Sequence, residues 1–539
     1  MLTQKLQKFN TASIYLLGLC LVAVGLSLSK PLIGIGQGLL GVAWLIEGHH
    51  LKKIKSFFSD KTSWILIIYF VVSVLGLVYS KNLSYGIIDV KRKLPLFVLP
   101  FVLYGVPFSS KQLKIVFSCF VGAVLVSSFW SIFVKLGGLG ITVVDERNYS
   151  RFDSHIRFGL AICLSIFGLG YGLTKENKTI GKIIRIGIIL WLVSFLFIVN
   201  FYTGIIILCL SSVFLILFKL TRTKSLGYKF LLLMFPILLV GLFVFYIKTN
   251  YQLLHKTHYF IEEKVYSPYG EKYWHDYSSN ETENGNFVYR NIAEKELEYS
   301  WNKVSTIKFK EKDLKGQPIS STLKRFITSK GEYKNQKAVM NLTYEEVEAI
   351  EHGVCNVNNM NLNMFNRRLQ DIIWEIENYR KGGDYNGHSI VMRLVFWKTS
   401  YSIFKENILF GVGTGDIQDA FNIQYEKDKS ILSQKYRLRA HNQFITAFTT
   451  FGIFGGILFF VFIFTPFFQL GLKDNFLYIA FFIVMCISML TEDTLDTQVG
   501  ITLYVFFNTL FLYIIYKPAF INNYYHQYFC FKINVGEFI

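Results

Sequence analysis

The stretch RLRAHNQFITAFTTFGIFGG, residues 437–456, changes within eight positions from a run suited to water to one suited to lipid. Arg437, Arg439 and His441 stand on the polar side, and Asn442 follows at the seam. Gly452 comes after nine intervening residues and Gly455 three later. On one straight helix, both glycines fall within about 40° of the His441 direction and ~16–21 Å further along. That reading sets an imidazole at the water–lipid boundary above a groove free of side chains. Such a groove suits either a closely packed neighbouring helix or a lipid chain hanging below a reacting headgroup.

The rest of the chain is of the same kind. Its 539 residues are 52% hydrophobic and 17% aromatic, with a positive mean hydropathy, a balance that leaves too little charge for the surface of a soluble enzyme. The apolar residues gather into twelve stretches near the ~20 residues that cross a bilayer. They lie at 11–29, 32–48, 63–80, 94–107, 112–134, 155–173, 183–200, 201–218, 230–247, 443–470, 475–491 and 498–516. The expected fold is an all-α polytopic membrane protein of about twelve transmembrane helices with one large, mainly helical extracytoplasmic loop domain. Its parts are a nine-helix membrane region (1–248), the loop domain (249–441), a three-helix membrane region (442–516) and a cytoplasmic tail (517–539). The first stretch follows Lys5 and Lys8 without a small-residue cleavage site, which reads as a retained anchor.

Charge sets the orientation. The loops 49–62, 174–185 and 219–229 carry four Lys or Arg residues each, and with an even number of spans they share a side with both termini. By the positive-inside bias that side is the cytoplasm. The net charge of +19 does not point to nucleic acid, because residues 251–441 hold 27 Lys and Arg against 25 Asp and Glu. The excess sits in the cytoplasmic loops, where topology and anionic membrane lipids account for it. The seven cysteines are scattered and mostly within spans, which argues against a disulfide framework. No His/Cys group has zinc spacing, so neither a metal nor another cofactor is expected.

The loop domain contains helical patterns. LTYEEVEAIEHGV reads as a helix capped by Thr343 and ended at Gly353. NMFNRRLQDIIWEIENYR reads as a second, with Leu369, Ile372, Ile373 and Ile376 on one stripe. SIVMRLVFWKTSYSIFKE, from Ser389 to about Lys405, is apolar on one side and too short and charged to span, a pattern of interfacial helices. Arg393 and Trp397 share a face there, where the indole can brace the guanidinium. GVGTGD (411–416) follows no strand and reads as a glycine-rich turn rather than a nucleotide loop.

Several cations fall on the expected outer side. Arg157 opens the sixth span, a costly position unless it faces protein, water or a ligand. His155 and Arg151 stand beside it, and Lys91, Arg92 and Lys93 occupy an outer loop against the charge rule. With Arg393, Arg437 and Arg439 they make a basic rim, and arginine's planar fork suits phosphate oxygens. A largely neutral imidazole at His441 provides a base. The constellation reads as one base beside several cations, addressed to an anionic lipid headgroup. Glu492, Asp493 and Asp496 in TEDTLDTQ (491–498) are able to orient a base but read first as a solvated loop.

HNQFITAFTTFGIFG resembles the His-Asn, nine residues, Gly, two residues, Gly signature of the O-antigen ligase and polymerase family. RLVFWKTSYSIFKENILFGVGTGD resembles the family's preceding segment, SHIRFGL its earlier arginine helix, and the large loop before the last spans its layout. The resemblance implies a fold like that of the C-type glycosyltransferases. It also implies metal-independent, inverting transfer of glycan from undecaprenyl diphosphate to an acceptor hydroxyl at the periplasmic face of the bacterial inner membrane. The acceptor is lipid A-core, as in lipopolysaccharide assembly, or another glycan. Carried over, His441 with Asn442 is catalytic, Arg157, Arg393, Arg439 and Arg92 bind the diphosphate, and Gly452, Gly455 and Trp397 pack or form the groove. One departure is NFYTG, where Tyr202 stands at a position that many relatives give to arginine. A polymerase of the same family is the nearest alternative. A twelve-span polysaccharide flippase is another, although transporters favour related halves over a nine-to-three split.

Overall fold

The computed structural model describes residues 2–138, 149–150, 154–254, 261–360, 362, 364–469, 472 and 475–516. Arg151 and the expected cytoplasmic tail 517–539 lie outside them. The chain divides into two compact units. The first comprises Met1–Arg222, Phe396–Ser430 and the chain from Arg437 onward; the second comprises Thr223–Val395 and Ile431–Tyr436.

The first unit begins with α1 (Leu2–Leu28), α2 (Lys30–Glu47), α3 (His50–Ser59), α4 (Lys61–Leu75), α5 (Leu83–Lys93), α6 (Pro95–Leu103) and α7 (Ser110–Lys135). It continues through α8 (His155–Leu173), α9 (Thr179–Ile198) and α10 (Tyr202–Arg222). The second unit holds α11 (Leu226–Leu254), the strands β1 (Thr282–Glu283) and β2 (Asn286–Phe287), α12 (Glu294–Val304), α13 (Ile319–Ser329), α14 (Gln336–Met340), α15 (Tyr344–Glu351) and α16 (Met364–Arg380). The chain then runs through α17 (Ser389–Glu406), α18 (Ile417–Lys427), α19 (Gln443–Gln469), α20 (Phe476–Thr491) and α21 (Gln498–Leu510).

Among the described residues, six helical runs are long and apolar enough to cross a membrane: Thr11–Leu28, Ser110–Lys135, His155–Leu173, Thr179–Ile198, Tyr202–Arg222 and Gln443–Phe468. The chain is a multi-pass membrane protein, and its described residues are mostly helical. Twelve uninterrupted spans are not what the described residues form. At the second expected span the helix Lys30–Glu47 is followed by His50–Ser59 at a bend of 114°, where Gly48 and His49 both take left-handed φ angles of 76° and 56°. At the fourth, α6 has only nine residues and follows α5 after the single helical residue Leu94. The expected loop around residues 91–93 is therefore helix. Its Lys93 is buried, whereas Lys91 and Arg92 remain exposed, so Lys93 is not part of an outer basic rim. The eleventh and twelfth are the short apolar helices α20 and α21.

The second unit has its own core of Ile292, Leu297, Trp301, Ile319, Leu323, Phe326 and Ile350. Its hairpin turns on Asn284 and Gly285, both at positive φ, the geometry of a two-residue turn between twisted strands. The two expected loop-domain helices are present: Thr343 closes a capping box at the start of α15 and Gly353 follows its end at φ 71°. The carboxylate of Glu283 holds the Arg325 guanidinium at 2.6 Å, and Arg325 lies 3.9 Å from the centroid of the Trp374 ring.

Two groups in this unit have shifted titrations. Burial, only partly offset by Arg325, pushes the Glu281 carboxyl up to about 7. Burial together with Lys324 and Arg290 brings the Lys334 ammonium down to about 7. A raised carboxyl binds its proton more tightly in the folded state, so Glu281 removes stability as pH rises from its unfolded value toward 7. Lys334 does the opposite, removing stability as pH falls from its unfolded value toward 7. Glu281→Gln is expected to raise the thermal midpoint of this unit over wild type at pH 8 and to bring no such gain at pH 4. Thermal scans of the detergent-solubilised full-length protein at the two pH values check this.

Candidate functional site

The site is organised by a break in α19. Gly452 has φ 64° and ψ −164°, so the helix stops there and restarts. The two halves fold back on each other: the Phe444 and Phe460 rings are 5.5 Å apart and Phe448 and Phe460 are 5.8 Å apart. On one straight helix, positions 16 residues apart would be separated by ~24 Å. A side chain at Gly456 would collide with the Phe448 ring. The run Gln443–Phe468 is therefore a helical hairpin with Gly452 at its tip, rather than one continuous span.

A break of this kind opens backbone hydrogen bonds, and exposed peptide groups among apolar helices are costly. The bonds lost are those from the amides of Ile453 and Phe454 to the carbonyls of Thr449 and Thr450. The segment 408–413 replaces each half: Ile453 N donates to Ile408 O (2.8 Å) and Phe454 N to Leu409 O (3.4 Å). Val412 N donates to Thr449 O (3.2 Å) and Gly413 N to Thr450 O (2.8 Å). The two backbones touch at a pair of glycines. A Cβ at Gly411 would collide with Thr450, and one at Gly452 with Leu409. The glycine-rich turn is thus a backbone clamp. Thr414 anchors it to the end of α4, through Oγ1 to Ser73 O (2.7 Å) and N to Gly76 O (3.2 Å). Asp416 accepts from the amides of Lys81 (2.8 Å) and Asn82 (2.7 Å).

This corrects the expected groove. Gly452 and Gly455 do not lie below His441 on one helix, because His441 precedes the helix at φ 47° and Gly452 ends its first half. The space at Gly452 is filled by the 409–410 backbone, and a Cβ at Gly455 would collide with Phe451. Both glycines pack protein against protein. Measured along α4, the tip lies at Gly76, whose Cβ would meet Phe451, while Gln443 reaches Tyr69 (3.3 Å). Those positions are seven residues apart, so the start of α19 sits ~10 Å nearer the beginning of α4 than its tip does.

At that level the side chains converge. Asn442 caps α19: its Oδ1 accepts from the amides of Phe444 and Ile445, both at 3.1 Å, and its Nδ2 donates to Leu490 O (3.0 Å). The His441 Nδ1 is 3.1 Å from Glu492 Oε2. The ring lies 5.9 Å from that of Phe396 and its side chain is 31% exposed. Trp397 Nε1 donates to Ala440 O (3.0 Å), fixing the peptide just before the histidine. With a carboxylate at Nδ1, the tautomer protonated there is favoured, which leaves Nε2 as the basic nitrogen.

Behind His441 lies a buried ionic network. Asp496 accepts from Arg439 Nη1 (2.9 Å) and Gln443 Nε2 (3.4 Å), and Lys93 Nζ stands 3.4 Å from its Oδ1. Lys93 also binds Asp89 (2.6 Å). Thr446 donates to Asp493 (2.6 Å), and Leu495 N donates to Gln443 Oε1 (2.6 Å). Burial raises the Asp496 carboxyl, but Lys93 and Arg439 outweigh it and hold the group below its ordinary range. At Asp493 burial wins over Arg439, and the carboxyl lies above its ordinary range. Burial lowers Arg439, and Asp496 and Asp493 more than restore it, so this guanidinium stays charged.

The expected solvated loop at 491–498 is therefore buried and stapled at Asp493, Thr494, Leu495 and Asp496. Asp89, Gln443 and Tyr69 were not singled out by sequence; Lys93 was, as part of an outer cationic rim that the structure does not bear out for it. Of the expected residues, the structure brings His441, Asn442, Arg439 and Trp397 together with Glu492. The network forms without Arg92, exposed in the last turn of α5, and without Arg157, half-buried in the first turn of α8. Arg393 belongs to the second unit, where its Nη1 donates to Ser389 O (3.0 Å).

Among known proteins, a model of the O-antigen ligase family matches residues 353–460, about a fifth of the chain. That segment includes Arg393, Trp397, the 411–416 clamp, His441, Asn442 and both glycines. No curated protein matches the chain.

Gly452→Ala is expected to destabilise the membrane unit by about 2–4 kcal/mol, because it adds left-handed strain to a backbone collision. Asp496→Asn leaves two buried cations short of a carboxylate and is expected to cost about 3 kcal/mol. Both losses are read as lowered thermal midpoints of the purified protein in one detergent, beside Arg92→Ala as a surface control expected to change little.

Proposed function

We propose that the chain, whose residues 353–460 match a model of the O-antigen ligase family, transfers a glycan from undecaprenyl diphosphate to an acceptor hydroxyl on lipid A-core. The reaction takes place at the periplasmic face of the inner membrane, with the termini cytoplasmic and the 249–441 region periplasmic. The observation that carries this reading is the His441–Glu492 pair, which directs one imidazole nitrogen into a carboxylate and leaves Nε2 to take a proton.

In the reaction, the acceptor oxygen attacks the anomeric carbon and passes its proton to Nε2. The bond from that carbon to the diphosphate oxygen breaks, and undecaprenyl diphosphate departs with the electron pair. One displacement inverts the anomeric centre. A diphosphate leaves without protonation, so no carboxylic acid is required at the leaving oxygen, in contrast to ordinary glycoside hydrolysis. Fixed cations must stabilise the charge that develops there. Arg157 and Arg393 are assigned to that task, with exposed Arg92 as an auxiliary contact. Arg439 is assigned to holding the carboxylate network, since Asp496 already balances it. Asn442 positions His441 by capping α19.

His441→Ala is expected to lower transfer about 10²–10⁴-fold, the range of a lost general base, while leaving the protein folded. Glu492→Gln should give a smaller loss in kcat. Arg393→Lys, which keeps charge but not the planar fork, is expected to cost about 10-fold. The assay follows lipid-linked donor and lipid A-core in proteoliposomes. Near wild-type turnover by His441→Ala would remove the imidazole as base. A donor chain extended without lipid A-core would assign polymerase rather than ligase activity.

A further inference from the structure

We infer that the first unit binds an anionic phospholipid, with an acyl chain in a pocket between α7, α8, α20 and α21 and the phosphate on Lys114 and Lys175. The pocket is half-open, has a volume of about 90 Å³ and is lined by fourteen residues, all of them apolar. They come from Leu113–Phe120 of α7, Leu164–Gly168 of α8, Leu477–Phe481 of α20 and Phe506–Phe511 at the end of α21. These are the beginnings of α7 and α20 and the second halves of α8 and α21, so the four helices meet at one end of an antiparallel set. The His441–Glu492 pair stands past the opposite end of α20, ~22 Å from Leu477 along the helix. The pocket is therefore separate from the candidate site.

Aromatic rings fix its shape. Phe120 meets Phe507 edge-on with centroids 5.1 Å apart, and Phe481 lies 5.8 Å from Phe511. A Cβ at Gly168 would collide with the Phe117 ring, so the glycine lets that ring close the side between α7 and α8. An apolar space of this kind offers water no hydrogen-bond partner. A run of methylenes recovers the dispersion contacts that an empty space forfeits.

Charge selects the headgroup. Lys175 Nζ stands 5.9 Å from the Tyr171 ring centroid, and that ring stacks on Phe476 at 5.9 Å, beside the lining residue Leu477. On α7, Lys114 is three residues before Phe117 and so its neighbour on the helix surface. Both lysines are exposed. Glu176, the acid next to Lys175, is engaged by Arg185 (3.4 Å). Lysines bordering an apolar pocket between membrane helices suit an anionic headgroup, and Lys175 belongs to the basic loop 174–185 expected at the cytoplasmic leaflet, where anionic lipids concentrate. The polyprenyl donor fits less well. On the transfer reading its diphosphate meets His441 at the other end of α20, whereas the cations here call for a phosphate at this end.

Native mass spectrometry of the purified full-length protein in detergent, titrated with dioleoyl phosphatidylglycerol, reads the affinity for the first lipid bound. Wild type is expected to bind it about 10-fold more tightly than dioleoyl phosphatidylcholine, whose headgroup has no net charge. Lys114→Gln with Lys175→Gln should remove that preference. Lys55→Gln with Lys61→Gln, an equal loss of charge from exposed positions on α3 and α4, should keep it. Leu113→Trp, which fills the pocket from a half-buried position, should weaken both lipids. His441→Ala should bind like wild type, so a failure of the proposed reaction is separable from a failure here. Equal affinity for the two lipids in wild type overturns the inference, as does a preference that survives loss of Lys114 and Lys175 or disappears equally in the Lys55 and Lys61 control. Unchanged affinity in Leu113→Trp overturns it too. So does displacement of the phosphatidylglycerol by neutral undecaprenol, because that assigns the pocket to a polyprenyl chain.

Discussion

A carboxylate buried among apolar helices must be matched by charge, and in this protein the matching of Asp496 decides where the candidate site lies. Its oxygens draw in Arg439 from the approach to α19, Lys93 from the end of α5 and Gln443 from the first turn of α19. Three separated stretches of sequence meet because none of their charged groups can be left alone in a low-dielectric interior. His441 lies two residues from Arg439 and one before Asn442, whose cap fixes the helix start. The imidazole is thus positioned by its neighbours' obligations as much as by its own bond to Glu492.

The second constraint is that no backbone donor or acceptor at this level can go unpaired. The break at Gly452 creates four open groups, and the segment 408–413 supplies four partners. That exchange requires the two chains to approach at backbone distance, which explains Gly411 opposite Gly452. The start of α19 thereby lies beside Tyr69, nearer the beginning of α4 than the tip at Gly76.

The sequence made the helical class, the caps of α15 and α16's extent legible, since these depend on local period and end signals. What it hid depends on groups distant along the chain. Nothing local distinguishes a solvated TEDTLDTQ from one whose aspartates are buried by Lys93, some 400 positions earlier. The left-handed φ of Gly452 was equally hidden: a glycine permits such an angle without requiring it, so a wheel projection ran straight through the break. Of the cations at 91–93, read as addressed to an anionic ligand, Lys93 instead faces carboxylates within the protein.

That reassignment bears on how a diphosphate would be held. Arg439 and Lys93 are each already engaged by aspartate. Drawing either toward a phosphate would leave a buried carboxylate short of its partner, a penalty of about 3–5 kcal/mol that would offset much of the new contact. Cations that stabilise a leaving group work best when they need no reorganisation at the moment of reaction. On the transfer reading, Arg439 and Lys93 therefore hold the carboxylate network beside His441 rather than the diphosphate. Asp493 belongs to the same network, and burial holds its carboxyl above the ordinary range despite Arg439.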